Sequence, residues 1–230
     1  MKKYVIIAVF SLFPLVAHTG KVGNAHNIIP SNLLICSIET PIHANPKSPK
    51  ATPKTTTNPP KKLYLANEAD DHIKDMVTFE KKVQAIAKSL QVNPDWVMAL
   101  IHSESNFNPK KTNAKGSGAK GLIQMMPIIY KDLGIKKVPN SPYQQLDYAK
   151  RYLLDKQEKH GKFTSLTDLK LAVLYPEAIG KPNWYVLFEK PSKTYRQNRG
   201  LDLNKDGKVT VGDVKNKMKE SYKPVFWAKI

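Results

Sequence analysis

The sequence predicts a mainly α-helical domain, and three observations predict it. Apolar residues recur every three to four positions over several stretches. Capping residues and prolines bound those stretches. Little of the chain shows the two-residue alternation of a strand. At 230 residues and 41% hydrophobic content, the chain can bury a real core and carry appendages.

Residues 71–90 read as the first helix, with Ile73, Met76, Val77, Val83, Ile86, Ala87 and Leu90 on its apolar face. Asn93-Pro94 then supplies an N-cap and a proline at the first helical position, opening a helix over 94–105. Residues 107–121 are rich in Asn, Pro, Lys and Gly and read as loop. Residues 122–133 look helical, with Pro127 interrupting or restarting the helix. Asn140-Ser141-Pro142 caps another helix, which runs to about residue 159 and is closed by Gly161. Residues 166–175 form a short apolar helix ended near Pro176. No repeat of 20–50 residues is visible, so the expectation is one domain of five or more helices.

The ends of the chain have their own character. Met1-Lys2-Lys3 followed by an almost wholly apolar stretch to Ala17 has the form of an export signal, too short for an ordinary membrane span. Cleavage near Ala17 or after Ala44 and an uncleaved anchor are the alternatives. Leu33-Leu34-Ile35-Cys36 has the outline of a lipoprotein box, but Ile35 stands where a small residue is expected. Cys36 is the single cysteine, so no intramolecular disulfide can form. Prolines, threonines and lysines dominate 41–62, which should be a semi-rigid spacer. The expected organisation is an export segment over 1–44, a linker over 45–66, a helical domain over 67–200 and a tail over 201–230. An exported protein, periplasmic or extracellular, follows. No stable membrane partner is expected after cleavage, and a monomer is expected.

The formal net charge is +18, from 37 Lys and Arg against 19 Asp and Glu. Such a charge draws the protein to polyanions. It does not choose among nucleic acid, lipid and wall polymers. No zinc-finger spacing, RNP-type strand or basic heptad helix accompanies it, so no nucleic-acid partner is expected.

The helix over 94–105 carries the chemistry. Val97, Leu100, Ile101 and Glu104 share one face, so a carboxylate ends an apolar stripe beside a loop. Partial burial there is expected to favour the protonated form, as a general acid requires. By position alone, a Glu in a last helical turn is more often solvated.

The residues that follow make the point sharper. Glu104-Ser105-Asn106-Phe107-Asn108-Pro109 and then Gly118-Ala119-Lys120-Gly121-Leu122-Ile123-Gln124-Met125-Met126-Pro127 resemble the two signature blocks of the soluble-type lytic transglycosylases. The resemblance covers about 75–190. It implies a goose-type, lysozyme-like helical domain with a long saccharide cleft. It implies that Glu104 is the catalytic acid and base, and that Ser117 or Gly118, Gln124 and Met125 or Met126 contact substrate. Physically, Gln124 offers a donor and an acceptor, and the glycines permit close backbone approach. Helix-start polarity and core packing are the plain alternatives for Gln124 and the methionines. A third block, 171–176, stands in the place of the family's A-x-x-x-Y-N-A-G segment. Tyr175 matches its tyrosine, Pro176 replaces the asparagine, and Glu177 follows as a possible second carboxylate.

By this resemblance the substrate is the glycan strand of peptidoglycan. Glu104 would protonate the oxygen bridging MurNAc and GlcNAc, then accept the proton of the C6 hydroxyl as a 1,6-anhydro ring closes. No catalytic cofactor is implied. A water activated by Glu177 or an Asp would instead make the enzyme a hydrolytic muramidase. A non-catalytic wall-binding module and a basic nucleic-acid binder are the rivals outside enzymology.

The tail holds a second pattern. Asp202, Asn204, Asp206, Lys208, Thr210 and Asp213 occupy positions 1, 3, 5, 7, 9 and 12 of an EF-hand-like calcium loop, with Gly207 at position 6. Asp213 is shorter than the usual Glu. An exiting helix over 214–222 is expected, and no regular entering helix is evident. The loop resembles bacterial dockerin-type calcium loops, which makes an assembly protein a further rival. An Asp-Gly turn in a polar tail is the bland alternative. Calcium bound here would be structural.

Overall fold

The computed structural model describes residues 62–113 and 116–223, all within one compact unit. The expected export segment over 1–44, its Cys36 and the linker up to residue 61 lie outside the described residues. The last linker residues do not behave as spacer. Leu63 and Ala66 are buried, the Leu63 N–H donates to Glu80 Oε1 and the Tyr64 N–H donates to Asp95 Oδ1. These side chains are apolar where 41–62 is polar, and they find the core. The expected linker over 45–66 therefore extends too far at its C-terminal end.

Among the described residues, eight α-helices form the body. A one-turn helix α1 (Ala66–Ala69) precedes α2 (Met76–Leu90) and α3 (Pro94–Ser105). Then come α4 (Pro127–Asp132), α5 (Pro142–His160) and α6 (Leu166–Leu174). Helix α2 starts later than its pattern suggests, because Asp75 takes the Thr78 N–H as an N-cap. Its buried face is Phe79, Val83, Ile86, Ala87 and Leu90. Val77, two residues before Phe79, lies on the other side and is exposed, contrary to the apolar face read from sequence. Only 127–132 of the helix expected over 122–133 forms, since Pro127 starts it and the chain before it is turn.

Helix α6 is the hub. All nine of its residues are buried, and it meets α3, α5 and the C-terminal helix. A helix buried on every side has no solvated face and must be central. Ser165 caps its start, and Asp168 accepts from the Thr164 N–H and hydroxyl and the Gly180 N–H. The Tyr152 hydroxyl donates to Ala172 O and fastens α5 onto α6.

After a 3-10 turn over Pro176–Ala178, strand β1 (Val186–Glu189) pairs antiparallel with β2 (Lys208–Thr210). Between them lies α7 (Lys193–Asn198), and α8 (Val211–Ser221) follows β2. The tail expected over 201–230 is thus tied into the body as far as it is described. Val209 is fully buried, α8 packs on α6, and Tyr222 donates to Ala99 O on α3.

Candidate active site

Helix α3 is built to hold Glu104 in its last turn. Asn93 Oδ1 accepts the Asp95 N–H, Pro94 takes the first turn, and Asn106 closes the helix at φ 55°. Phe107, also at positive φ (60°), then drops fully buried against Phe79, ring edge to face at 6.3 Å. Two consecutive left-handed residues turn the chain sharply, so the last turn of α3 is fixed from both ends. Within it Glu104 is 3% exposed.

The burial expected of Glu104 is therefore found, and with it comes a partner the sequence did not suggest. Lys170 of α6, 1% exposed, donates from Nζ to Glu104 Oε1 at 2.6 Å and to Ser103 Oγ at 2.9 Å. The Ser103 hydroxyl in turn donates to Leu100 O. One signal for Lys170 was legible: it is the only charged residue within the apolar run 169–174.

Two phenols also feel the Glu104 carboxylate. Burial raises the Tyr152 hydroxyl well above its usual range, with Asp155, Glu104 and Glu177 adding to the effect. Burial likewise raises Tyr222, with Glu104 and Glu68 adding. Both stay un-ionised and bring no negative charge to the pair.

The loop after α3 is closed on itself. Asn113 N–H donates to Ala119 O, Gly121 N–H to Lys111 O, and Lys120 N–H to Met125 O. Gln145 of α5 accepts the Leu122 N–H and donates to Pro109 O and Pro139 O. A Cβ at Gly121 would sit 2.6 Å from Gln145 Oε1 and 2.9 Å from the Tyr130 hydroxyl, so the glycine is required there. The close approach served by this glycine is to Gln145, and sequence reading had no way to find that partner 24 positions on.

The expected sugar contacts divide. Gln124 is 1% exposed, and its Nε2 donates to Lys111 O and Gly121 O. Its amide is spent on the loop's own carbonyls, while Oε1 has no partner among the described residues. Met125 is buried in the core, and only Met126 of the pair is partly exposed. Gln124 and Met125 are thus both buried, Gln124 with its amide nitrogen on the loop's carbonyls and Met125 packed in the core. Ser117 is half-buried, with Oγ accepting the Ala119 N–H. Gly118 (φ 72°) lines a cavity of about 490 Å³ with Pro109, Thr112, Lys120, Tyr130 and Asn140.

Tyr175 caps α6, half-buried, its ring edge-on to Phe188 of β1 at 5.7 Å. Burial raises its hydroxyl, and Tyr185 and Glu177 add to this. Glu177 is exposed on the 3-10 turn, where both Tyr152 and Tyr175 feel its charge.

Residues 81–174 match the family of the transglycosylase SLT domain. The matched segment runs from the sixth residue of α2 to the last residue of α6, less than half of the chain. It contains Glu104, Lys170 and the loop between α3 and α4, and stops one residue before Tyr175. The SLT segment is lysozyme-like, in keeping with the mainly α fold. It supports a glycosyl-processing enzyme whose substrate is the glycan strand of peptidoglycan.

Beyond the SLT segment, the loop after α7 has the turn expected of a calcium loop. Gly207 sits at φ 90° at the bend, Val209 points inward from β2, and Thr210 with Asp213 forms a capping box that starts α8. The six-residue α7 precedes this loop. Asp202 is 7% exposed; its Oδ2 accepts from the Tyr195 hydroxyl and the Gly207 N–H, and its Oδ1 has no partner. Burial alone would raise Asp202, but those hydrogen bonds outweigh it and its carboxyl lies below the usual range. Asn204 and Asp206 hydrogen-bond each other, and Asp206 Oδ1 also accepts the Lys208 N–H. Asp213 Oδ2 is committed to the Thr210 N–H and hydroxyl. Among the described residues no group of three or more His, Cys, Asp or Glu is gathered as a metal cage. Asp202 Oδ1 is nonetheless an orphaned buried acceptor at the first position of the loop.

Proposed function

We propose that this protein cleaves the β-1,4 bond between MurNAc and GlcNAc in peptidoglycan without consuming water, leaving 1,6-anhydro-MurNAc ends. The observation that carries the reading is the placement of Glu104. It lies inside the SLT segment, at the end of the apolar stripe of α3, almost wholly withdrawn from solvent. Glu104 gives its proton to the bridging oxygen as the C1–O bond breaks. The same carboxylate then takes the proton of the C6 hydroxyl, which closes on C1.

Glu177 supports a second reading. It is exposed, and Tyr152 feels its charge together with that of Glu104. A water activated by Glu177 makes the enzyme a muramidase on the same bond. Mass spectrometry of digested muropeptides separates the two, because the lyase product lacks one water.

The catalytic reading itself is tested by zymography on purified sacculi. Glu104→Gln keeps the shape and removes the titrating group, and activity is expected to fall about 100- to 10,000-fold. A variant that clears the gel like the parent refutes the assignment and leaves a wall-binding role. Such a substrate lies outside the cytoplasm, which fits the export segment expected over 1–44. Among the described residues no helix is long and apolar enough to cross a membrane.

For the C-terminal loop, the reading is a structural calcium site. Asp202, Asn204, Asp206 and Asp213 would hold the ion through side-chain oxygens, Lys208 through its carbonyl and Thr210 through its hydroxyl or a water. Calcium there would secure α8 against α6 and take no part in catalysis.

A further inference from the structure

We propose that Lys170 is a positioning residue for Glu104. Its ammonium ties down one carboxylate oxygen and leaves the other as the working oxygen. It also stabilises the carboxylate that remains once the proton has gone to the glycosidic oxygen. The proposal rests on the catalytic reading of Glu104 given above.

Energetics argue first. Holding an ammonium out of water is costly, even a close partner offsets that cost only in part, and an apolar residue of similar volume is often as stable or more so. Lys170 stands between Leu169 and Leu171, both fully buried, in a helix whose nine residues are all buried. A leucine or methionine would suit that place on stability grounds, so packing does not account for the charge.

Geometry is the second argument. Lys170 Nζ has two acceptors, Glu104 Oε1 at 2.6 Å and Ser103 Oγ at 2.9 Å, both on the last turn of α3. Ser103 is itself held by its hydrogen bond to Leu100 O. The ammonium is therefore placed by the rigid junction of α3 and α6. Among the described residues, Oε2 carries no hydrogen bond, and on this proposal it is the oxygen that meets the substrate.

The chemistry then balances. Protonated Glu104 transfers one proton to the bridging oxygen. The C1–O bond breaks, and its electron pair leaves with that oxygen as a sugar hydroxyl. The new carboxylate lies against the Lys170 ammonium in a site that excludes water, where such a charge is worth most. As the C6 oxygen bonds to C1, its proton returns to Glu104 and the acid is restored.

The test compares kcat and KM for parent, Lys170→Met, Lys170→Gln and Lys170→Arg on isolated, uncrosslinked glycan strands. Circular dichroism confirms folding and sets the folded concentration. Lys170→Met is expected to lose about 100-fold in kcat with KM changed less than about threefold, the range for removing one preorganised donor. Lys170→Arg, which keeps the charge, is expected to recover about tenfold of that loss. A purely structural lysine would lower thermal stability and leave kcat per folded molecule alone. A Met variant within about threefold of the parental kcat overturns the proposal. Should the Met variant not fold, the Gln variant, which keeps an N–H donor without the charge, decides on the same criterion. A parent that releases no product from the strands points instead to failure of the catalytic reading, so the two failures are distinguishable.

Discussion

At the scale of single residues, burial turns ordinary side chains into specific ones. Glu104 was legible from its place on an apolar stripe, yet its partner Lys170 lies 66 positions away and was not. Gln124 and Gln145 show the same division. Gln124 has the sequence context of a cleft residue and proves to hold the loop's carbonyls. Gln145 carries no signal in the sequence, yet it joins α5 to the backbone at Pro109, Leu122 and Pro139. His102 gives a residue-scale prediction. Burial lowers it from its ordinary 6.5, with Glu68 opposing and Lys111 assisting. The folded protein then binds that proton less readily than the unfolded chain. Stability is full above about pH 6.5 and falls as the pH drops towards the folded value. Melting temperature is expected to decline between pH 7 and 5, and His102→Gln should flatten that decline. Parallel melting curves for the two proteins would count against this account.

Among the elements, helices bounded by local chemistry were the most legible. Pro94–Ser105 and Pro142–His160 begin at Asn93-Pro94 and Ser141-Pro142, whose caps depend only on neighbours in sequence. The start of α2 was less so, because Asp75 caps it after an irregular turn that buries Ile73. Strands β1 and β2 were missed: each is only four or three residues long, and they pair across 18 intervening residues. The C-terminal loop carries a prediction at this scale. If calcium binds there, 1 mM calcium should raise the melting temperature of the full chain relative to excess chelator. The gain follows RT ln(1 + [L]/Kd), which is about 2.7 kcal/mol at one hundred times Kd. The same titration on Asp202→Asn should show a smaller shift. No shift in the parent would argue for a plain Asp-Gly turn.

For the molecule as a whole, the body does not end where the SLT segment ends. Helix α8 and strand β2 cover α6 and β1, and Tyr222 reaches both His102 and Ala99 on α3. A chain cut after Gly200 would expose this face of α6. It is expected to lose cooperative unfolding or to melt far below the full chain in calorimetry. A truncated chain with the parental transition would show the last 30 residues to be a dispensable tail, as the boundary at 200 read from sequence implies.

By itself the sequence determined the helical class, most helix bounds, the signature residues around Glu104 and the spacing of the Asp, Asn and Gly residues in the C-terminal loop. Those depend on periodicity, caps and fixed spacings, which act over a few residues. Tertiary structure alone decided which polar groups lose their water and whom they then meet. It set Lys170 on Glu104, turned Gln124 inward, left Asp202 Oδ1 without a donor and folded the tail onto α6. The reason is physical: desolvation and pairing are properties of neighbours in space, and no local pattern along the chain specifies them.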